Sequence, residues 1–167
     1  MKNVIYAIAN RNGKALLLNG STNKYTMLDG ENSQKATLKA ICTIVGSIGD
    51  SKDMNTSTTI ILPKNLAFIL RKELVYEWIN NGNKTAKGTE LDDEFIELCK
   101  YISDMRNYLG YRVKVKMTGT AITTAEEELV MKDAWDLLDK KTNYKPAKAN
   151  KATNAPAMPS KPAFMCK

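Results

Sequence analysis

Thr58-Thr59-Ile60-Ile61-Leu62-Pro63 is a short, nearly unbroken apolar run closed by a proline. A strand wet on one face alternates apolar with polar residues, so a run this uniform belongs where both faces are covered. Pro63 suits the first turn of a following helix. The apolar positions of that helix are Leu66, Phe68, Ile69, Leu70, Leu74, Val75 and Trp78. Asn80 to Gly88 then reads as a polar loop.

Upstream, Asn3 to Ala9 is β-branched and aromatic, Asn10-Arg11-Asn12-Gly13 turns, and Lys14 to Leu18 is apolar again, which is a hairpin signal. Asn19-Gly20-Ser21 predicts a second turn before a strand at Tyr25 to Leu28. After Gly30, Asn32 or Ser33 can cap a helix with Leu38, Ile41, Cys42, Val45 and Ile48 at helical spacing, stopped by Gly49. Downstream, Thr89 can cap a helix with Leu91, Phe95, Leu98 and Ile102 inward. Tyr111 to Met117 alternates, with Arg112, Lys114 and Lys116 as a basic stripe on an expected edge strand. Thr124-Ala125-Glu126-Glu127 is a capping box opening a last helix with an acidic first turn. The predicted order is β-β-β-α-β-α-α-β-α.

Charge divides the chain. The net charge is +7 over 167 residues. Lys140, Lys141, Lys145, Lys148, Lys151, Lys161 and Lys167 follow Asp139 with no acid among them. Removing these seven from the 25 basic residues leaves 18, which matches the 18 acidic ones. Residues 1–139 are thus a formally neutral body, and residues 140–167 a basic tail holding four of the five prolines. Such a tail buries too little apolar area to offset its ordering entropy, so it is expected to be extended and to attract polyanions. Phe164-Met165-Cys166 is its most apolar stretch, a candidate docking peptide. No apolar run approaches a membrane span, and there is no signal-peptide pattern. Three distant cysteines and no histidine exclude a disulfide scaffold, a thiolate zinc site and His-based triads. A reduced, cytoplasmic chain without membrane or cofactor is expected. Oligomeric state has no signal in the sequence.

The predicted order is that of ribonucleases H, and particular residues sharpen the likeness. Asn81-Gly82-Asn83-Lys84-Thr85-Ala86-Lys87-Gly88 resembles the Asn-Gly-Trp-Lys-Thr-Ala-x-Gly segment of type 1 ribonucleases H, with Trp78 a few residues before it. Ser33-Gln34-Lys35-Ala36-Thr37-Leu38-Lys39-Ala40-Ile41 resembles the start of the family's first helix. The resemblance covers roughly Met1 to Asp139. It implies an α/β ribonuclease H-like fold: a mixed five-stranded sheet, three antiparallel strands then two parallel, with helices on both faces.

The resemblance also implies two divalent metals held by four carboxylates, and here the chain departs from it. The four positions fall near Ile8, on Thr37, on Pro63 and near Val130, with Asp133 the nearest acid to the last. The family's loop histidine falls on Thr120, and its phosphate-holding asparagine on Asp93. A domain that has lost its metal ligands is expected to be no nuclease. Gln34, Lys35, Lys64 and Asn65 fall on positions that line the duplex groove in the family, and Lys84 and Lys87 lie in the matching loop. With Lys140, Lys141, Lys145, Lys148 and Lys151 they form the expected contacts to RNA or single-stranded DNA. Two rival readings are a protein–protein or host-modulating factor using the degenerate substrate face, and an enzyme with relocated acids such as Asp92, Asp93 and Asp133. The Lys- and Asn-rich composition would suit a bacteriophage protein, placed in host cytoplasm.

Overall fold

The computed structural model describes residues 2–71, 73–120 and 122–142. Five strands form one sheet: β1 (Lys2–Arg11), β2 (Lys14–Asn19), β3 (Tyr25–Asp29), β4 (Thr56–Leu62) and β5 (Val113–Met117), in spatial order β3-β2-β1-β4-β5. The β1–β2 and β2–β3 pairs are antiparallel, while β4 runs parallel to both β1 and β5. This is the mixed sheet implied by the resemblance.

The apolar run at Thr58 to Leu62 lies in β4, between β1 and β5. Ile60 packs into a core under α1 (Ser33–Asp50) and α3 (Asp93–Leu109), and its neighbour Ile61 into a second core under α4 (Ala125–Thr142). Both are fully buried, which is why the run tolerates no polar alternation. The central β1 shows the same division, with Ile8 on the α1 side and Ile5, Ala7 and Ala9 on the α4 side.

Several boundaries differ from expectation. The first turn is only Asn12-Gly13, both at positive φ (54° and 79°), the type I′ geometry that matches hairpin twist. Asn10 and Arg11 therefore belong to β1. The single helix expected after Pro63 is a 3-10 segment, Lys64–Leu70, followed by a separate short helix, α2 (Leu74–Asn80). Asp92, not Thr89, caps α3 by accepting from the Phe95 N–H at 3.1 Å. Asn32 caps α1, accepting from the Lys35 N–H at 2.9 Å. Gly49 does not end α1, which runs to Asp50. An added Cβ at Gly49 would meet Met105 Cε at 2.7 Å, so this glycine instead lets α3 approach closely. The capping box at α4 is formed in both directions, Thr124 N–H to Glu127 at 2.8 Å and Glu127 N–H to Thr124 at 3.1 Å. Because α4 continues through Thr142, Lys140 and Lys141 are helix residues rather than tail.

Candidate functional site

The C-terminal ends of parallel strands β1 and β4 meet the first turns of α1. Asn10, the last inward residue of β1 on the α1 side, is 6% exposed. Its Nδ2 donates to Thr37 Oγ1 at 2.9 Å and to Asn65 Oδ1 at 3.2 Å. Thr37 Oγ1 in turn donates to the Ser33 carbonyl at 2.8 Å. With that hydroxyl proton committed, Thr37 offers Asn10 a lone pair, which orients the amide with its donors inward. Gln34 Nε2 reaches the Asn65 carbonyl at 3.5 Å, at the limit of a hydrogen bond.

Ile8 is fully buried core, whereas Asn10, two residues on and on the same strand face, is the β1 residue that meets Thr37. The reading of Asn10 as a turn residue hid it, and the Asn12-Gly13 pair was the signal that could have moved the turn. Val130 is likewise core on the opposite sheet face. It packs beside Gly20, whose N–H donates to the Ile5 carbonyl at the other end of β1. Asp133 lines a surface cavity with Leu18, Asn23, Asp136, Leu137 and Lys140, a set that does not include Asn10. Pro63 is buried.

The residues gathered here do not fit a pair of hard dications. Asn10, Thr37 and Asn65 are neutral and already bonded to one another, and the central amide presents N–H rather than oxygen. Divalent magnesium-type ions are held through carboxylates that neutralise their charge. Among the described residues no group of three or more His, Cys, Asp or Glu is placed to hold a metal.

The expected basic residues separate into distinct environments. Lys64 and Asn65 are exposed at the start of the 3-10 segment. An added Cβ at Gly119, in the β5–α4 connection, would lie 3.5 Å from Lys64 Cε, which places the lysine over that loop. Lys84 and Lys87 are exposed on the loop between α2 and α3. That loop is held by its own asparagine, Asn81 Nδ2 donating to the Lys84 and Thr85 carbonyls at 3.3 and 2.9 Å.

Lys35 does not serve as expected. It is 4% exposed, and its ammonium lies 2.8 Å from Glu31, 2.8 Å from Asp92 and 3.3 Å from Glu94. The hydrogen bond to Asp92, then that to Glu31, raise its pKa well above the ordinary lysine value. Three carboxylates leave this charge nothing to offer a phosphate.

The basic stripe on β5 also dissolves. Arg112 is buried and donates to the Ile48, Ser51 and Asp53 carbonyls at 2.8, 3.0 and 3.4 Å, capping the C-terminal end of α1. Lys116 bonds both carboxylate oxygens of buried Glu127 at 3.0 Å. Lys114 alone of the three remains exposed. Trp78 forms a triangle with Phe68 and Phe95, ring centroids 5.7 to 5.9 Å apart, and is half-buried structural packing. Lys141 lies 5.5 Å from the Tyr25 ring centroid on the α4 side. Lys145, Lys148, Lys151 and Phe164-Met165-Cys166 lie outside the described residues.

No family description matches the chain, and no curated protein matches it in sequence. Solved structures do resemble it. A foamy viral protease–reverse transcriptase in complex with an RNA/DNA hybrid aligns with a TM-score of 0.51 at 15% identity, over 80% of this chain. The chain spans only 19% of that enzyme's length. The same viral enzyme in complex with double-stranded DNA gives 0.46 at 18% identity, covering 80% of this chain and 90% of that one. LC9-RNase H1, a type 1 ribonuclease H with the type 2 active-site motif, gives 0.44 at 15% identity, covering 81% and 72%. With strand order β3-β2-β1-β4-β5 and two parallel joins beside the central hairpin, the chain has the ribonuclease H-like fold.

Proposed function

We propose that this protein is a catalytically silent ribonuclease H-like domain that binds nucleic acid, RNA or single strands, through exposed lysines and a basic tail. One observation carries the reading. Thr37 stands where the resemblance calls for one of the metal-holding carboxylates, and it is tied into the neutral Asn10–Thr37–Asn65 network, with exposed Lys64 next to Asn65 in sequence. Lys64 has no ion pair within 4 Å among the described residues, so its charge is free to meet a phosphate. Lys84 and Lys87 share that condition. The hybrid held by the similar foamy viral structure supports a nucleic-acid partner in the general sense.

The test is a salt series on labelled single-stranded RNA and RNA/DNA hybrid, using the full chain, a chain ending at Thr142, and Lys64→Glu. Counterion release makes affinity fall steeply with salt, with a slope set by the phosphates contacted. The full chain is expected to bind at low salt, the shortened chain more weakly with a shallower slope, and the Lys64→Glu chain more weakly still than wild type. Absence of binding at low salt overturns the proposal. Incubation with magnesium or manganese is expected to leave the hybrid intact, and specific cleavage would refute silence.

A second reading, docking to another protein, draws on a different surface. Tyr101 and Tyr108 lie two turns apart on one face of α3, exposed by 42% and 75%. Exposed Tyr111 donates to the carbonyl of exposed Met54 at 3.4 Å. Tyrosine and methionine are enriched in protein interfaces. A protein partner retained after nuclease treatment at high salt, and lost in Tyr108→Ser, would favour this reading.

A further inference from the structure

Asparagine followed by glycine can modify itself. With no side chain in the way, the glycine nitrogen reaches the asparagine Cγ, and a cyclic imide forms as ammonia leaves with the nitrogen's proton. Water then opens either imide carbonyl, giving aspartate or an isoaspartate whose main chain runs through the former side chain. The sequence holds three such pairs, Asn12-Gly13, Asn19-Gly20 and Asn81-Gly82, and the fold treats them differently.

Two pairs are clamped. Asn19 Oδ1 accepts from the Ser21 and Thr22 N–H groups at 2.9 and 3.3 Å, and its Nδ2 donates to the Tyr6 hydroxyl at 3.4 Å. The Gly20 N–H donates to the Ile5 carbonyl at 2.8 Å. Asn81 Nδ2 is held by the Lys84 and Thr85 carbonyls, and the Gly82 N–H donates to the Ile79 carbonyl at 3.1 Å. In both pairs the carboxamide is tied and the attacking nitrogen is bonded to main chain.

Asn12 is exposed, and its carboxamide makes no hydrogen bond among the described residues. The Gly13 N–H donates to a side chain, Ser33 Oγ, at 3.0 Å. A hydroxyl swings away by a single rotation about χ1, which a main-chain carbonyl cannot do. We infer that Asn12 is a modification site that converts to aspartate or isoaspartate with water as co-reactant, and that the Ser33 hydroxyl sets the rate by holding the Gly13 nitrogen. The product adds a negative charge at the hairpin tip. Isoaspartate also lengthens the main chain of a two-residue turn, where Gly13 bonds both Ser33 and, through its carbonyl, the Gly30 N–H at 2.9 Å. The Ser33 carbonyl holds Thr37, which in turn meets Asn10, so the change bears on the candidate site whatever that site binds.

The test is peptide mapping by mass spectrometry of the full-length protein incubated in mildly alkaline buffer, native and in urea. In the native protein Asn12 is expected to convert several-fold faster than Asn19 and Asn81. In urea the three rates are expected to converge. Ser33→Ala is expected to speed conversion at Asn12 several-fold and to leave Asn19 and Asn81 unchanged. Conversion of Asn19 or Asn81 ahead of Asn12 overturns the inference, as does the same ranking and ratio in urea, which would assign the order to local sequence rather than to the fold. An unchanged Asn12 rate in Ser33→Ala, or equal acceleration at all three pairs, removes Ser33 as the gate. Should Ser33→Ala fail to fold, the native and urea rates of the wild-type chain decide.

Discussion

Helix α1 meets buried positive charge with different partners at its two ends. At its C-terminal end a guanidinium is taken inside, 6% exposed, and tied to three carbonyls. At its N-terminal end the buried cation, Lys35, is met by three carboxylates instead, the Asn10–Thr37 pair beside it is neutral, and the nearby Lys64 stays in water. The positive charge of the helix-capping type agrees with the negative end of the helix dipole, so Arg112 is an architectural cation. Lys64 stabilises nothing visible in the fold and remains available. Basic residues close in sequence to a presumed binding face are therefore not interchangeable, and Lys35, one residue beyond Gln34, makes the same point through its three carboxylates.

Substitutions can break this contrast. The largest effect is expected from Arg112→Leu, which strands the last carbonyls of α1 and should lower stability by about 3 kcal/mol, read by urea unfolding. Glu127→Ala comes next, at about 2 kcal/mol, because Lys116 and the Thr124 N–H lose a buried partner together. Asn10→Ala should cost about 1–2 kcal/mol, leaving Thr37 without its donor. Lys64→Ala should change stability by no more than about 0.5 kcal/mol while reducing affinity for RNA at low salt. A stability loss at Lys64 as large as that at Arg112 would erase the distinction between the two ends.

The mildest effect is on pH dependence. The hydrogen bond from Lys35, then the Phe95 N–H, hold the Asp92 carboxyl below its ordinary 3.8. A depressed carboxyl contributes stability that is complete above its unfolded value and lost as pH falls through the folded one. Lys35 works in the other direction: its raised pKa contributes below its ordinary 10.5, so both terms are present at neutral pH. Acid unfolding followed by circular dichroism should therefore steepen below about pH 4, and less so in Asp92→Asn. An identical acid limb in that variant would remove Asp92 from the account.

The layers of this fold were legible because local pattern and tertiary position coincide. Ile60 and Ile61 had to be buried on opposite faces, and the Asn-Gly turn at Asn12-Gly13 states its own geometry. The Asn81–Gly88 loop is readable because its asparagine bonds its own carbonyls. The site was less legible for a physical reason. Whether Lys35 is free depends on Asp92 and Glu94 arriving from α3, nearly sixty residues away. Arg112 reads as a strand-edge charge until α1 delivers its carbonyls. Asn10 reads as a turn residue until the turn is shortened to two residues. Spacing along the chain carries none of these convergences.

The register of the central strand has a consequence for how the chain reaches this state. β1 finds β2 across a two-residue turn, but its other edge waits for β4, with Lys2 opposite Thr56. On the ribosome the meander of the first three strands, complete at Asp29, can close early, while an unpaired backbone edge stays open until some thirty further residues, through Leu62, have emerged. Non-local parallel pairing of that kind is slow, and an open edge invites pairing with other chains. Assembly of the second half of the sheet is thus the step at which crowding and chaperone supply matter most for yield.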